Sequence, residues 1–177
     1  MSGLVALLGL LYVATVRTVT FDGDAAIRFA PDAEAISLPG FDGGAHVAAY
    51  EHGGTVSFSF PLRNAGLLGV TVTGVRLDED DPYPLVTIEH VTVDGDDLPA
   101  RVGRGHTARV DVTARYDNCR YYHERELELL AGATVDASVL GMGITRDVSF
   151  DHPLVVRSPM IVDCPDRTLI RDDDPRR

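Results

Sequence analysis

Lysine is absent from this chain. All 16 basic residues are arginine, set against 27 acids, and the formal net charge is -11. A surface that acidic repels phosphate backbones, so no nucleic-acid partner is expected. The shortage of positive charge also argues against docking on anionic lipid, which requires clusters of Lys and Arg. Ala, Gly, Val and Asp are abundant, and with arginine in every basic position this reads as the codon bias of a high-GC bacterial genome. Adaptation to high salt would fit the acidity as well.

Cysteine is scarce. Cys119 and Cys164 stand 45 positions apart, a separation that matches no zinc or redox motif. Motifs of hydrolytic and nucleotide chemistry are also missing: there is no G-x-S-x-G, no H-E-x-x-H and no Gly-rich phosphate loop. His123-Glu124 is a lone His-Glu step without the second histidine that a zinc helix needs. No enzymatic activity is expected.

A long apolar run is lacking too. Residues 3–16 (GLVALLGLLYVATV) carry no charge, and Arg17 closes the run. Its 14 residues reach about 21 Å as a helix, short of a ~30 Å hydrocarbon core. That length suits the h-region of a signal peptide, yet a basic n-region is missing and Ala14-Thr15-Val16 makes a poor cleavage site. A start codon placed a few residues late would leave a clipped transmembrane helix. The expected organisation is therefore a signal anchor or clipped helix at residues 1–19, a domain over 20–164, and a polar tail over 165–177. The domain is expected outside the cytoplasmic membrane, single-pass or secreted. In an exported chain an even pair of cysteines defaults to one disulfide, Cys119–Cys164. Closing so long a loop contributes up to about 4 kcal/mol in the chain-entropy model. The alternative is two buried thiols acting as small hydrophobes.

What is present is alternation. Apolar residues make up 45% of the chain, enough for a sizeable core, and charged residues 24%, too many apolar groups for wholesale disorder. In residues 55–63, Val56, Phe58, Phe60 and Leu62 point one way, and Thr55, Ser57, Ser59 and Arg63 the other. A period of two marks a strand with one face in a core and one in water. After an Asn64-Ala65-Gly66 break, Val70 and Val72 share a face but Val75 and Leu77 have changed sides, which predicts a bulge at Gly74. Residues 85–93 change phase in the same way, and Asp94-Gly95-Asp96-Asp97 reads as a turn. Residues 107–115 and 133–140 alternate cleanly. Short candidates lie at Ala26–Phe29, His46–Glu51, Ile144–Phe150 and Leu154–Val156. The stretch 121–130 (YYHERELELL) fits a helical turn or an irregular strand equally well. Seven to eight short strands at about ten-residue spacing, with Gly, Pro and Asp turns, predict an all-β, antiparallel β-sandwich preceded by an N-terminal apolar helix.

Candidate sites are few. Asp78, Glu79, Asp80 and Asp81 form one acid cluster, and Asp94, Asp96 and Asp97 another. Calcium needs six to eight converging oxygens, but the intervening strand of about nine residues, roughly 30 Å, holds the clusters apart. Cys119-x-x-x-His123, with an earlier His46, His52, His90 or His106, imitates part of a copper site, but Leu127 stands where an axial Met would be needed. These residues read as solvated turns, and no metal or cofactor is expected; a calcium- or copper-binding accessory role is the competing reading. Arg115, Tyr116, Arg120, Tyr121 and Tyr122 surround Cys119 and combine the residue types enriched at interaction hot spots. They are the best candidate surface for a protein partner.

The pattern F-x-F-P-L-R-N-x-G followed by G-V-T-V-T-G-V resembles bacterial Ig-like domains of the cell-adhesion-related and abnormal-spindle-like kinds, in which an Asn-x-Gly step joins two alternating strands. The later stretch, from Cys119-Arg120-Tyr121-Tyr122 through Leu140-Gly141 to Ser158–Cys164, looks like envelope proteins of high-GC Gram-positive bacteria that carry a membrane segment and one extracytoplasmic sandwich. The resemblance spans most of residues 50–170. It implies a non-enzymatic structural or interaction module in the envelope, and it carries over no catalytic residue. The absence of tryptophan, and of any cysteine in the first half, separates the chain from antibody-type domains.

Overall fold

A computed structural model describes Phe21 and residues 28–29, 34–36, 45–49, 53–77, 86–116 and 127–157. The expected N-terminal helix, the boundaries at 19/20 and 164/165, and both cysteines lie outside the described residues. Among these residues eleven strands are found: β1 (Arg28–Phe29), β2 (Glu34–Ile36), β3 (Ala45–Ala49), β4 (Thr55–Arg63), β5 (Val70–Leu77), β6 (Val86–Val93), β7 (Asp96–Asp97), β8 (Ala100–Val102), β9 (Thr107–Tyr116), β10 (Leu127–Val139) and β11 (Met142–Arg157). No helix occurs among the described residues, so the protein is all-β there.

The strands form two sheets, ordered β1-β4-β9-β6-β7 and β2-β3-β11-β10-β5-β8. Every pairing in the first is antiparallel. The second is antiparallel except where β3 runs parallel to β11. Alternation dictates how the sheets meet. Phe58, Phe60 and Leu62 of β4, with Val110 and Val112 of β9, face the same core as Val70 and Val72 of β5 and Val135 and Val139 of β10. Phe150 of β11 sets its ring centroid 5.5 Å from Phe60 and 6.3 Å from Phe58, joining the sheets through aromatic contact. Each such side chain taken from water contributes about 1.5–3 kcal/mol. Toward the other end, Val56, Val86, Ala114, Tyr116, Leu130, Leu154 and Val156 make a second, smaller cluster.

The two phase changes seen in the sequence are bulges. Along β5, Asp136 pairs with Gly74 but Ala137 with Val72, which leaves Thr73 as the extra residue. Along β6, Ile88 pairs with Ala114 but His90 with Thr113, which leaves Glu89 over. Each insertion rotates the following side chains to the opposite face, so Val75, Val91 and Val93 return to the core.

Three differences from expectation stand out. The described residues alone hold eleven strands rather than seven or eight, because β2, β7 and β8 are too short to show a period in sequence. Strand β7 consists of two exposed aspartates, held in place because Asp94 and Gly95 take positive φ (53° and 88°) and fold the chain back in a two-residue hairpin. The candidates at 144–150 and 154–156 belong to one strand, β11. Leu130 pairs with Leu154 and Gly132 with Ser149, so a single residue of β10 faces four of β11 at this irregularity. Finally, residues 127–130 begin β10, with Leu130 fully buried; residues 121–126 lie outside the described part.

Candidate functional site

At one end of the molecule the β4–β5 connection meets the β8–β9 turn, and Asn64 joins them. Its side chain is fully buried. The Nδ2 group donates to the carbonyls of Leu68 (2.8 Å), Gly103 (3.1 Å) and Val102 (3.2 Å). Oδ1 accepts from the Gly66 N–H at 3.0 Å, which closes the Asn-x-Gly turn on itself. The Asn64 main chain donates to His106 O (3.0 Å) and accepts from Gly105 N–H (2.8 Å). The polar atoms of this side chain are all engaged in holding loops together, as burial demands.

Beside it, on the outer face of the first sheet, lies a cavity of about 270 Å³. Among the described residues its polar lining is Arg28, Ser59, Asp94, Thr107 and Arg109, with Pro61 supplying apolar surface. The register sets these residues side by side: Arg28 pairs with Ser59, Ser59 with Asp111, and Pro61 with Arg109. Asp94 accepts the Arg109 main-chain N–H at 2.7 Å and contacts His106 Nε2 at 3.1 Å. The Arg109 N–H bond is the main cause that holds the Asp94 carboxyl below its ordinary 3.8; burial opposes it, and the contact with His106 adds to the lowering. The Arg109 guanidinium is turned to Asp111, 2.7 Å away.

Two other polar groupings lie elsewhere on the two sheets. Asp136 on the second sheet takes Arg76 at 3.1 and 3.2 Å and the Thr145 hydroxyl at 2.8 Å. Thr145 is the main cause of its lowered pKa, and Arg76 adds to it. At the junction of β3 and the irregular part of β11, the rings of His46 and His152 meet edge to face with centroids 6.1 Å apart. His152 Nδ1 is 3.0 Å from Asp151 Oδ2.

The residues singled out in sequence fall as follows. Arg115 is partly exposed and its Nε lies 3.0 Å from Glu89 Oε1, an ion pair without hydrogen-bond alignment. Tyr116 is only 4% exposed and packs in the smaller core cluster, so its ring is not part of a surface patch. Arg120, Tyr121, Tyr122, Cys119 and Cys164 lie outside the described residues, as do His52, His123 and Asp78–Asp81. Of the second acid cluster, Asp94 is bound to β9 as above, Asp97 lies 3.4 Å from His90, and Asp96 is exposed. Among the described residues no three His, Cys, Asp or Glu side chains converge as metal ligands. The same residues contain no helix long and apolar enough to cross a membrane. Sequence reasoning missed the cavity, because Ser59 looked like any solvent-facing position of β4 and Arg28 belonged to a strand of only two residues.

No protein-family model matches the chain, and neither does any curated protein. Among solved structures it is similar to an inactive mutant of the GH20 exo-β-N-acetylglucosaminidase from Vibrio harveyi, at 14% identity and a TM-score of 0.34. The same enzyme in complex with N-acetylglucosamine gives 14% identity and a TM-score of 0.29. Each match covers 80% of this chain but 20% of the enzyme, so the chain spans about a fifth of those proteins' length.

Proposed function

We propose that this chain is a non-enzymatic Ig-like β-sandwich module of a bacterial cell envelope, held at the membrane by residues 1–19 and acting through contact with another envelope protein. The observation that supports it best is the employment of the polar side chains. Asn64, Asp94 and Asp136 have the chemistry for catalysis or ligation, and each is engaged in fixing one segment of the two sheets to another. Such a molecule is a rigid scaffold that presents loops, and loops on a rigid scaffold are where recognition resides. The loop after β9, with Arg120, Tyr121 and Tyr122 beside Arg115, is the proposed contact, and a Cys119–Cys164 bridge is proposed to fix it to the C-terminal segment.

The reading makes separable demands. The full chain should sediment with membranes and a version beginning at Thr20 should not; retention without residues 1–19 would remove the anchor. Thiol labelling of the unfolded, unreduced protein should find no reactive cysteine, and two labelled thiols would end the disulfide proposal. A photo-crosslinking residue at Tyr121 or Tyr122 should give a discrete adduct in cells, absent when the same group replaces Arg146 on β11. Equal adducts from both places would mean that the loop is not the contact.

A further inference from the structure

We propose that the cavity on the outer face of the first sheet binds a compact α-hydroxy or α-amino carboxylate. This goes beyond the interaction reading and stands whether or not the chain has a protein partner. The argument begins with Ser59. By alternation its side chain belongs to the solvent face of β4, yet it is only 5% exposed. It lines the cavity. A hydroxyl that opens onto a cavity can both donate to and accept from a polar atom of a ligand.

Arg28 supplies the charge. It pairs with Ser59 across β1 and β4, is exposed, and its guanidinium meets no carboxylate among the described residues. That distinguishes it from Arg76, Arg109 and Arg115, each of which faces an acid. A guanidinium is a planar fork suited to a carboxylate or a phosphate.

Asp94 decides between those two. It lines the same cavity, with one oxygen on the Arg109 N–H and the other on His106. Ionised there, it repels a dianion and accepts a hydrogen bond from a hydroxyl or ammonium group. A ligand that offers a single carboxylate to Arg28 and Ser59, with a donor on the adjacent carbon for Asp94, satisfies all three. Pro61 leaves apolar surface for a small substituent. The volume of about 270 Å³ falls below the range of pockets for drug-sized ligands, roughly 300–1,000 Å³, and suits a molecule the size of lactate or alanine.

Titration calorimetry of the full chain with L-lactate and with L-alanine tests the assignment. Saturable binding of at least one is expected. It should weaken about tenfold or more in Arg28→Gln and in Ser59→Ala, given the strength of charge-assisted pairs. Arg101→Gln, on β8 of the other sheet, should bind as the parent does. Alanine methyl ester should give no heat, and inorganic phosphate should bind more weakly than lactate. Thermal melts of each variant establish that it is folded. The proposal is overturned if neither acid binds, if Arg28→Gln binds as well as the parent, or if phosphate binds more tightly than both acids.

Discussion

Asn64 and His46 are the residues whose physics is most exposed to experiment. Truncating Asn64 to Ala would leave the Gly66 N–H and the carbonyls of Leu68, Val102 and Gly103 without their partner in a buried place. Each unsatisfied buried group costs about 1–3 kcal/mol, and some relaxation will follow. Asn64→Ala is expected to lower stability by about 2–4 kcal/mol in a chemical denaturation curve; a loss below about 1 kcal/mol would mean water replaces the amide at no cost. His46 is a pH-sensitive position. Burial first, and then the neighbouring His152, hold its pKa below the ordinary 6.5, with Asp151 acting in the other direction. The unfolded chain therefore takes the proton first. The contribution is complete above pH 6.5 and is lost as pH falls from there through the lower folded value. Melting temperatures measured from about pH 7.5 to about pH 5 should fall less steeply for His46→Gln than for the parent. Parallel curves would show that the imidazole is solvated alike in both states.

At the level of elements, the long β10–β11 hairpin carries two local costs. Gly132 sits where the register slips, and an added Cβ would come 2.6 Å from the Val148 carbonyl oxygen. The obstacle is backbone of the adjacent strand, so it cannot rotate away. Gly132→Ala is expected to destabilise by about 2–3 kcal/mol in an equilibrium melt, near the upper end for overpacking. The turn of the same hairpin holds the opposite opportunity. Leu140 has φ 49° ahead of Gly141 at 82°, and 63% of it is exposed. A branched apolar residue is a poor choice for the left-handed region, whereas Asn tolerates it. Leu140→Asn should stabilise by about 0.5–1 kcal/mol, measured in the same way. The bulges of β5 and β6 were legible in the sequence because each shifts the apolar pattern by one place. The irregularity of β11 was not, since Asp151, His152 and Pro153 look like a loop until β10 is seen to run past them. β7 and β8 were hidden for a similar reason: two or three residues contain no period, and only a neighbouring strand makes them strands.

For the whole molecule, the question is whether the larger and smaller clusters melt together. Leu77 and Ile88 pack against both, and β10 and β11 pass from one to the other, so unfolding should be cooperative. Leu154→Ala, in the smaller cluster, is expected to cost about 2–5 kcal/mol and to shift one transition rather than split it. Tyrosine fluorescence and far-ultraviolet circular dichroism should trace coincident curves; separate midpoints would identify the smaller cluster as an independent unit. The sequence by itself determined the class of the molecule, the buried faces of β4, β9 and β10, and two of its bulges, because a half-buried strand must alternate and a bulge must break the alternation. Tertiary structure alone decided the rest: that Tyr116 faces a core, that Ser59 is enclosed on the nominally solvent side, and that Arg28, Ser59 and Asp94 share one cavity. Those facts depend on which strand lies beside which. Strand order is set by pairings between residues tens of positions apart, and a local pattern carries no record of them.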